Sequence, residues 1–413
     1  MTAREHSCEV LIVGGGLVGS ALANALGRIP VRTALVEAHD PASFGQPGFD
    51  GRATALANGS QRILEQLGLW SGLRSEAEPI VSIHIGERGR FGAARIVAEE
   101  EGGEALGYTI ENRALGEALW RPLERAAGFT SLAPAKLLSF TSDDDSVTAE
   151  IDYGGRPGIV RAKLMIAADG ARSSVRRSLG IPVRENDYGQ RAIIVNATTQ
   201  VALAGRAFER FTAQGPLAVL PLSRGRAAIV WTLGHAEADR VMALSDDEFR
   251  RELQTAFGYR LGRIGRVGRR GVHTLSRVRS GALSDRRTLL VGNAAVSLHP
   301  VAGQGFNLAL RDVATIAEII ADDAASRREL ADAGSDAVLG RYGEWRKEDQ
   351  RKVAWFTHGL IRCFGARAPG LGAARGLGLL AFDVVPGAKP LLARHTMGMA
   401  GRLPRLARGL PLS

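Results

Sequence analysis

Cysteine is almost missing from this chain. Two residues in 413, Cys8 and Cys363, cannot build a disulfide framework. With no Cys-x-x-Cys and eight scattered histidines, the spacing of a metal site is missing as well. Long apolar runs are also lacking. The most apolar late stretch, residues 377–385, contains Asp383 and stops at Pro386, so it falls short of the roughly 18 residues that a bilayer-spanning helix needs. A Gly-x-Ser-x-Gly elbow is absent, which argues against an α/β hydrolase. The short polar opening from Met1 to Glu9 runs straight into a strand-like segment, so no secretory leader is expected and a reducing cytosol is the expected compartment. No internal repeat is visible, and a lone acidic triplet, Asp143 to Asp145, reads as a hairpin loop rather than a calcium site.

The hydrophobic fraction of 45% is enough to fill cores, and 413 residues exceed what one core serves. Charge is uneven. From Ile361 to Ser413 the chain carries seven arginines and one lysine against one aspartate, most of the net +10. These cations are interleaved with Leu, Ala and Gly and carry no recognised binding module, so no nucleic acid is expected as partner. The tail is expected to meet an anionic membrane face or an acidic partner, where each cation contributes about 1 kcal/mol. The plainer alternative is a basic helical end packed on its own domain.

Three distant segments each set a polar or glycine-rich turn directly after an apolar strand: residues 10–19 (VLIVGGGLVG), 164–175 (LMIAADGARSSV) and 289–307 (LLVGNAAVSLHPVAGQGFN). In a doubly wound sheet such turns hold ligands at the carboxyl ends of the strands. The first has the dinucleotide fingerprint Gly14-x-Gly16-x-x-Gly19, with Gly15, Leu17 and Val18 between the glycines. Gly14 allows the tight turn, Gly16 lets backbone N–H groups approach a pyrophosphate, and Gly19 lets the helix lie close to the sheet. Glu37 ends the next strand, 18 residues beyond Gly19. A carboxylate there suits a ribose with a free 2′-hydroxyl, as in FAD or NAD, and this segment alone leaves the two open.

The other segments point to FAD through a resemblance. The Asp169-Gly170 and Gly292-Asn293 pairs are similar to two turns of the flavin-dependent aromatic hydroxylases related to p-hydroxybenzoate hydroxylase. Asn293 stands where that family usually has Asp, and its side-chain oxygen can still accept from a ribityl hydroxyl. GNAA followed by LHPVAGQGFNLALRD resembles the ubiquinone-biosynthesis branch, as do residues 47–57, 107–119 and 205–222, so the likeness spans nearly the whole chain. It implies that Arg52 contacts FAD, that Asn112 or Arg113 lies beside the flavin or its phosphates, and that Gly303, Gln304, Gly305, Phe306 and Asn307 cover the ring from a helix start. Pro300 and Gly303 are the expected positions at the reactive flavin edge. His299 reads more readily as a residue shaping that pocket than as an acid or base.

The fold class expected is α/β: a discontinuous Rossmann-like FAD-binding domain of the glutathione-reductase type, a β-sheet substrate layer and C-terminal helices. Residues 1–75, 105–180 and 280–345 are assigned to the first, 76–104 and 181–279 to the second, and 346–413 to a basic helical end. Period-two stretches such as AIIVNATT and AAIVWTL support the sheet. Gly370-x-Gly372 imitates a second nucleotide turn, but Pro369 precedes it, no strand feeds it and no acid follows at the right distance, so it reads as loop. None of the five tryptophans forms the Trp-x-Trp pair of flavin-dependent halogenases.

The resemblance implies a monooxygenase that uses O₂ and a C4a-hydroperoxyflavin to hydroxylate a polyprenylated phenol, with 2-polyprenyl-6-methoxyphenol as the expected substrate. Sister hydroxylases acting at another ring carbon, and a flavin-carrying scaffold subunit working with other ubiquinone-biosynthesis proteins, are the alternatives. The electron donor is left as NADH, NADPH or a redox carrier. Phe208, Phe211, Leu217, Val219, Leu220 and Pro221 are candidates for an apolar substrate wall, with Phe211, Leu220 and Pro221 singled out. Ordinary sheet core is the competing assignment.

Overall fold

Apolar runs and period-two stretches form strands in three sheets in the computed structural model, which describes residues 4–42, 52–297, 303–326, 332–365 and 397–412, with isolated positions between 376 and 392. The first part of the chain holds β1 (Arg4–Val13), α1 (Leu17–Leu26), β2 (Thr33–Val36), β3 (Ala53–Ala57), α2 (Asn58–Gln66), α3 (Trp70–Leu73), β4 (Glu78–Ile80), β5 (Ser82–Glu87), β6 (Ala93–Val97), β7 (Gly107–Glu111) and α4 (Asn112–Trp120). Next come β8 (Phe129–Leu132), β9 (Ala135–Ser142), β10 (Val147–Tyr153), β11 (Pro157–Ala167), α5 (Ser174–Ser178), β12 (Val183–Thr199), β13 (Arg206–Phe211), β14 (Pro216–Leu222), β15 (Arg226–Gly234), α6 (His235–Met242) and α7 (Asp246–Phe257). The last part holds β16 (Ile264–Val267), β17 (Gly271–Ser280), β18 (Ser284–Asp285), β19 (Thr288–Leu290), β20 (Val296–Ser297) and the long helices α8 (Gln304–Ser326) and α9 (Asp336–Gly365).

The first sheet has a parallel centre in the order β8-β2-β1-β11-β19. Parallel strands are covered on both faces and therefore read as unbroken apolar runs. Within β1 the alternation splits them: Val10 and Ile12 face a core shared with α1 and α8, while Leu11 and Val13 face a second core with Met165 and Val147. Cys8 sits in that second core, where burial pushes its thiol up to about 12 and makes it unreactive.

The second sheet runs β20-β17-β12-β15-β14-β13-β5-β6. Its back face is packed by α6 and α7, which bring Val241, Phe249, Leu253 and Phe257 against Ile193, Leu217, Ile229 and Trp231. The Ser245–Glu248 capping box starts α7 at the position its S-x-x-E pattern marks. A small sheet, β3-β7-β4, is interleaved with the two large ones in sequence and touches β14. Three features cross the borders expected from sequence. β4 pairs with β7 instead of the large antiparallel sheet, β20 joins β17 in that sheet, and α9 runs through residues 345–346 as one helix. The triplet Asp143–Asp145 is a turn between β9 and β10, in which the Asp143 carboxylate accepts from the Asp145 and Ser146 amides.

The basic C-terminus is partly a packed element. Arg402 lies over the Trp345 ring, 3.7 Å from its centroid, and Arg405 pairs with Asp322 at 2.7 Å. Leu406, Ala407 and Leu412 belong to the main core. Burying each of the two leucines stabilises by about 1.5–3 kcal/mol. A chain ending before Arg402 is therefore expected to lose about 3 kcal/mol or more in urea unfolding; an unchanged midpoint and slope would show that this segment is not part of the folded unit. Among the described residues no helix is long and apolar enough to cross a membrane.

Candidate functional site

Three of the parallel strands, β1, β11 and β19, lie side by side, so the three turns read from sequence emerge at one edge of the sheet. The first turn follows Val13. Gly14 has φ +100°, and a Cβ there would stand 2.7 Å from the Ala168 carbonyl oxygen, which presses the first turn against the second. A Cβ on Gly19 would meet the Gly14 carbonyl at 1.8 Å, so α1 approaches the turn as closely as backbone allows. Gly16 is different, with nothing within 4 Å of a Cβ. It precedes α1 without a side-chain cap, and the first helical turn has no acidic residue. Free amide N–H groups and the positive helix end therefore face open space, the arrangement that receives a pyrophosphate.

Glu37 stands beside this turn, buried at 8% exposure. It accepts from the Gly15 amide at 2.6 Å and from the His39 amide at 2.8 Å, and His39 Nδ1 lies 3.0 Å away. A carboxylate has about four lone-pair sites, so capacity remains for a ribose hydroxyl. Trp120, at the end of α4, donates its indole N–H to the Gly15 carbonyl at 2.8 Å and walls the turn from behind.

Asp169 caps α5 with one carboxylate oxygen, which accepts from the Ser174 amide at 2.7 Å and the Val175 amide at 3.2 Å. Its other oxygen is buried with no hydrogen-bond partner. An orphaned buried acceptor is costly, and a ligand hydroxyl or amide at the mouth of the turn would satisfy it. Arg176 then ties the second turn to the third, donating to the Ala171 carbonyl at 2.8 Å and the Ala294 carbonyl at 2.7 Å.

Gly292 has φ +57°, and a Cβ there would come within 3.2 Å of Val18 in α1, which brings the third turn onto the first. Its amide donates to Asp312 at 3.1 Å. Asp312 is also held by Arg346 at 2.7 Å and Gln350 at 3.2 Å, and Arg346 reaches Asp349 at 2.6 Å, which in turn accepts from Arg311 at 3.2 Å. Burial disfavours the Arg346 charge, and Asp312 and Asp349 more than compensate, so the guanidinium stays protonated. Asn293 is exposed beside Gly292.

The start of α8 lies against β3. Gly303, φ +61°, would place a Cβ 3.1 Å from Ala55. Asn307 makes four bonds: it accepts from the Ala57 amide (2.8 Å) and Ser60 hydroxyl (2.7 Å) and donates to the Ala55 (2.9 Å) and Gly303 (2.8 Å) carbonyls. Its side chain is thus a clamp within the protein, leaving backbone amides as the groups this turn offers a ligand. Gln304 is buried, Phe306 half-buried, and a Cβ on Gly305 would meet nothing within 4 Å among the described residues outside its own helix backbone. Pro300 and His299 lie outside the described residues, as do Gly370 and Gly372.

Arg52 and Asn112 come together where β3 meets α4: the Asn112 amide donates to the Arg52 carbonyl at 2.9 Å, and its side-chain oxygen accepts from Thr54 at 2.6 Å. Arg113 is ion-paired along α4 with Glu117 at 2.9 Å. The pleat divides the apolar substrate run. Phe208, Leu217 and Val219 face the back core under α6 and α7, and Pro221 shares their side by alternation. Leu220 faces the other way, with Ala55, Ile83 and Ile85, and the alternation of β13 puts Phe211 on that side too. No cluster of metal-ligating side chains occurs among the described residues.

A model of the FAD binding domain family matches residues 7–357. The chain is 38% identical over 407 residues to a ubiquinone hydroxylase, UbiL, of Rhodospirillum rubrum, covering 98% of this chain and 93% of that one. It is 31% identical over 398 residues to the 3-demethoxyubiquinol 3-hydroxylase of Escherichia coli, covering 95% and 98%. Among solved structures, the fold is similar to p-nitrophenol 4-monooxygenase of Pseudomonas putida, with a TM-score of 0.80 at 20% identity over 96% of this chain and 99% of that one.

Proposed function

We propose, from the premise that this chain belongs to the FAD binding domain family and is an FAD-dependent monooxygenase, that it hydroxylates the ring of a polyprenylated phenol on the route to ubiquinone. The observation that carries this reading is the meeting of two surfaces: the cofactor turns at the sheet edge, and an apolar face built by Ile83, Ile85 and Leu220 that packs with Ala55 beside the start of α8. The two relatives named above, both hydroxylases of ubiquinone or its precursor, support the same substrate class.

Residues on the first two turns and at the end of β2 fit FAD, as the open helix end at Gly16, the orphaned Asp169 oxygen and the Glu37 carboxylate indicate. When bound and reduced, by NADH, NADPH or a redox carrier, FAD supplies the activation of O₂ from which one oxygen atom enters the ring. The chain does the rest. The α1 amides hold the pyrophosphate, Glu37 the adenosine ribose, and Asn293 and Asp169 the polar middle of the dinucleotide. The α8 amides, fixed by Asn307 against β3, present N–H groups and a positive helix end to negative charge on the ring system. Leu220, Ile83 and Ile85 exclude water and take up prenyl carbon, where each CH₂ contributes about 0.8 kcal/mol.

Within that class, we assign 2-polyprenyl-6-methoxyphenol as substrate and 2-polyprenyl-6-methoxy-1,4-benzoquinol as product. A second reading, hydroxylation at another ring carbon, is favoured by the E. coli relative, whose name places its reaction at position 3. Mass analysis of quinone precursors in cells lacking the protein separates them. The first reading expects the 6-methoxyphenol to accumulate; accumulation of a later, already para-hydroxylated precursor supports the second, and an unchanged quinone profile contradicts both.

A further inference from the structure

The face of the antiparallel sheet turned toward Ala55 is built from Ile83, Ile85, Ala207 and Leu220, and Glu209 shares it. Ala207, Glu209 and Phe211 alternate to the same side of β13, and the register sets Glu209 beside Ala218 on β14 and Ile85 on β5. Its neighbour Phe208 points into the opposite core. Glu209 is part-buried, and among the described residues no donor reaches its carboxylate.

Charged and titratable groups on the surrounding elements are placed otherwise. Arg226 of β15 is held by Glu111 of β7 at 3.0 Å, and Lys389 pairs with Glu100 at 3.9 Å. Glu87 lies one row along β5, opposite Phe211. Glu78 lies on β4 and His273 on β17. Arg206 and Arg210 alternate to the back of the sheet. Burial alone therefore pushes the Glu209 carboxyl up, to about 7. A bare carboxylate on an apolar wall weakens a fold and bonds nothing in it, so its use lies with a group brought against the face it shares with Ile85 and Leu220.

We propose that Glu209 is the proton acceptor for the ring hydroxyl of the substrate. This rests on the ring-hydroxylation reading above. The phenol O–H bond breaks, the proton passes to a Glu209 oxygen, and the electron pair stays on the phenol oxygen, whence it is shared with the ortho and para ring carbons. Nothing is oxidised in this step. A phenolate ring attacks electrophilic oxygen far more readily than a phenol, and a carboxylate with raised basicity is closer to a phenol, at about 10, than an ordinary one is.

The base works only when ionised, so product formation should rise with pH through about 7. Stability has the opposite sense. Because the carboxyl is held above its unfolded value, ionisation weakens the fold; the penalty is absent below the unfolded value and complete above about 7. Glu209→Gln should therefore raise the melting temperature at about pH 8 and hardly at all near pH 5, the reverse of losing a structural hydrogen bond.

The test uses full-length, FAD-loaded wild type and Glu209→Gln with a polyprenylated phenol, following product against pH. The variant is expected to keep its flavin, to lose about 100-fold or more in product formation at neutral pH, and to lose the acidic limb, recovering only as pH approaches the phenol's own pKa. Glu209→Asp should recover part of the rate with a limb of its own. A Glu209→Gln enzyme within about three-fold of wild type, with the same limb, overturns the proposal while leaving the ring-hydroxylation reading intact. A wild type that forms no product from any polyprenylated phenol overturns both.

Discussion

Replacing Gly16 or Gly305 by valine is expected to empty the protein of flavin while leaving the cofactor-free fold as stable as before. Among the described residues, nothing beyond the adjoining backbone stands within 4 Å of a Cβ at either position, and Gly16 is extended, with φ −63° and ψ −171°, a conformation that valine adopts freely. What a side chain would meet there is the ligand. FAD affinity should fall by more than about 100-fold, equivalent to about 2.7 kcal/mol, with unfolding of the apoprotein changed by no more than about 0.5 kcal/mol. Gly19→Val is the contrast, because its Cβ would be driven into the Gly14 carbonyl. That variant should lose both flavin and fold stability. Titration with FAD followed by flavin fluorescence, beside urea unfolding of the apoproteins, reads both quantities. Tight FAD binding by Gly16→Val would remove the pyrophosphate from the start of α1.

Asp312→Ala is expected to cost about 3–5 kcal/mol, because it strips a fully buried guanidinium, Arg346 at 0% exposure, of one of its two carboxylates and leaves the Gly292 amide without an acceptor. The consequence reaches the cofactor, since the same carboxylate fixes the third turn. Flavin content should fall together with the unfolding midpoint. Asp312→Asn keeps an oxygen for Gly292 and should lose less of both. A loss under about 1 kcal/mol for the alanine variant would mean that the buried network relaxes at little cost.

The turns at the sheet edge were legible because their geometry is local: a strand, a glycine turn and a helix start are contiguous at residues 10–19. What joins the turns was not. Arg176 reaching Ala294, Trp120 reaching Gly15 and Asn307 reaching Ala57 and Ser60 are contacts between residues roughly 100 or more positions apart, set by sheet order. The Arg311–Asp312 pair did leave a trace, as adjacent charges inside the apolar run of α8, where burial demands partners. The substrate wall was read as one run, although period two assigns Leu217 and Val219 to one face and Leu220 to the other. The same alternation sets Glu209 on the face of Ala207 and Phe211, and Arg206, Phe208 and Arg210 on the other.

The central claim is that this flavoprotein places one oxygen atom from O₂ on the ring of a polyprenylated phenol. The direct measurement supplies purified holoprotein with a reduced nicotinamide donor or redox carrier, the phenol and isotopically heavy O₂, and weighs the product. One heavy oxygen in the ring is the expected result. Oxygen consumed without any heavy product, in the presence of the phenol, would contradict it.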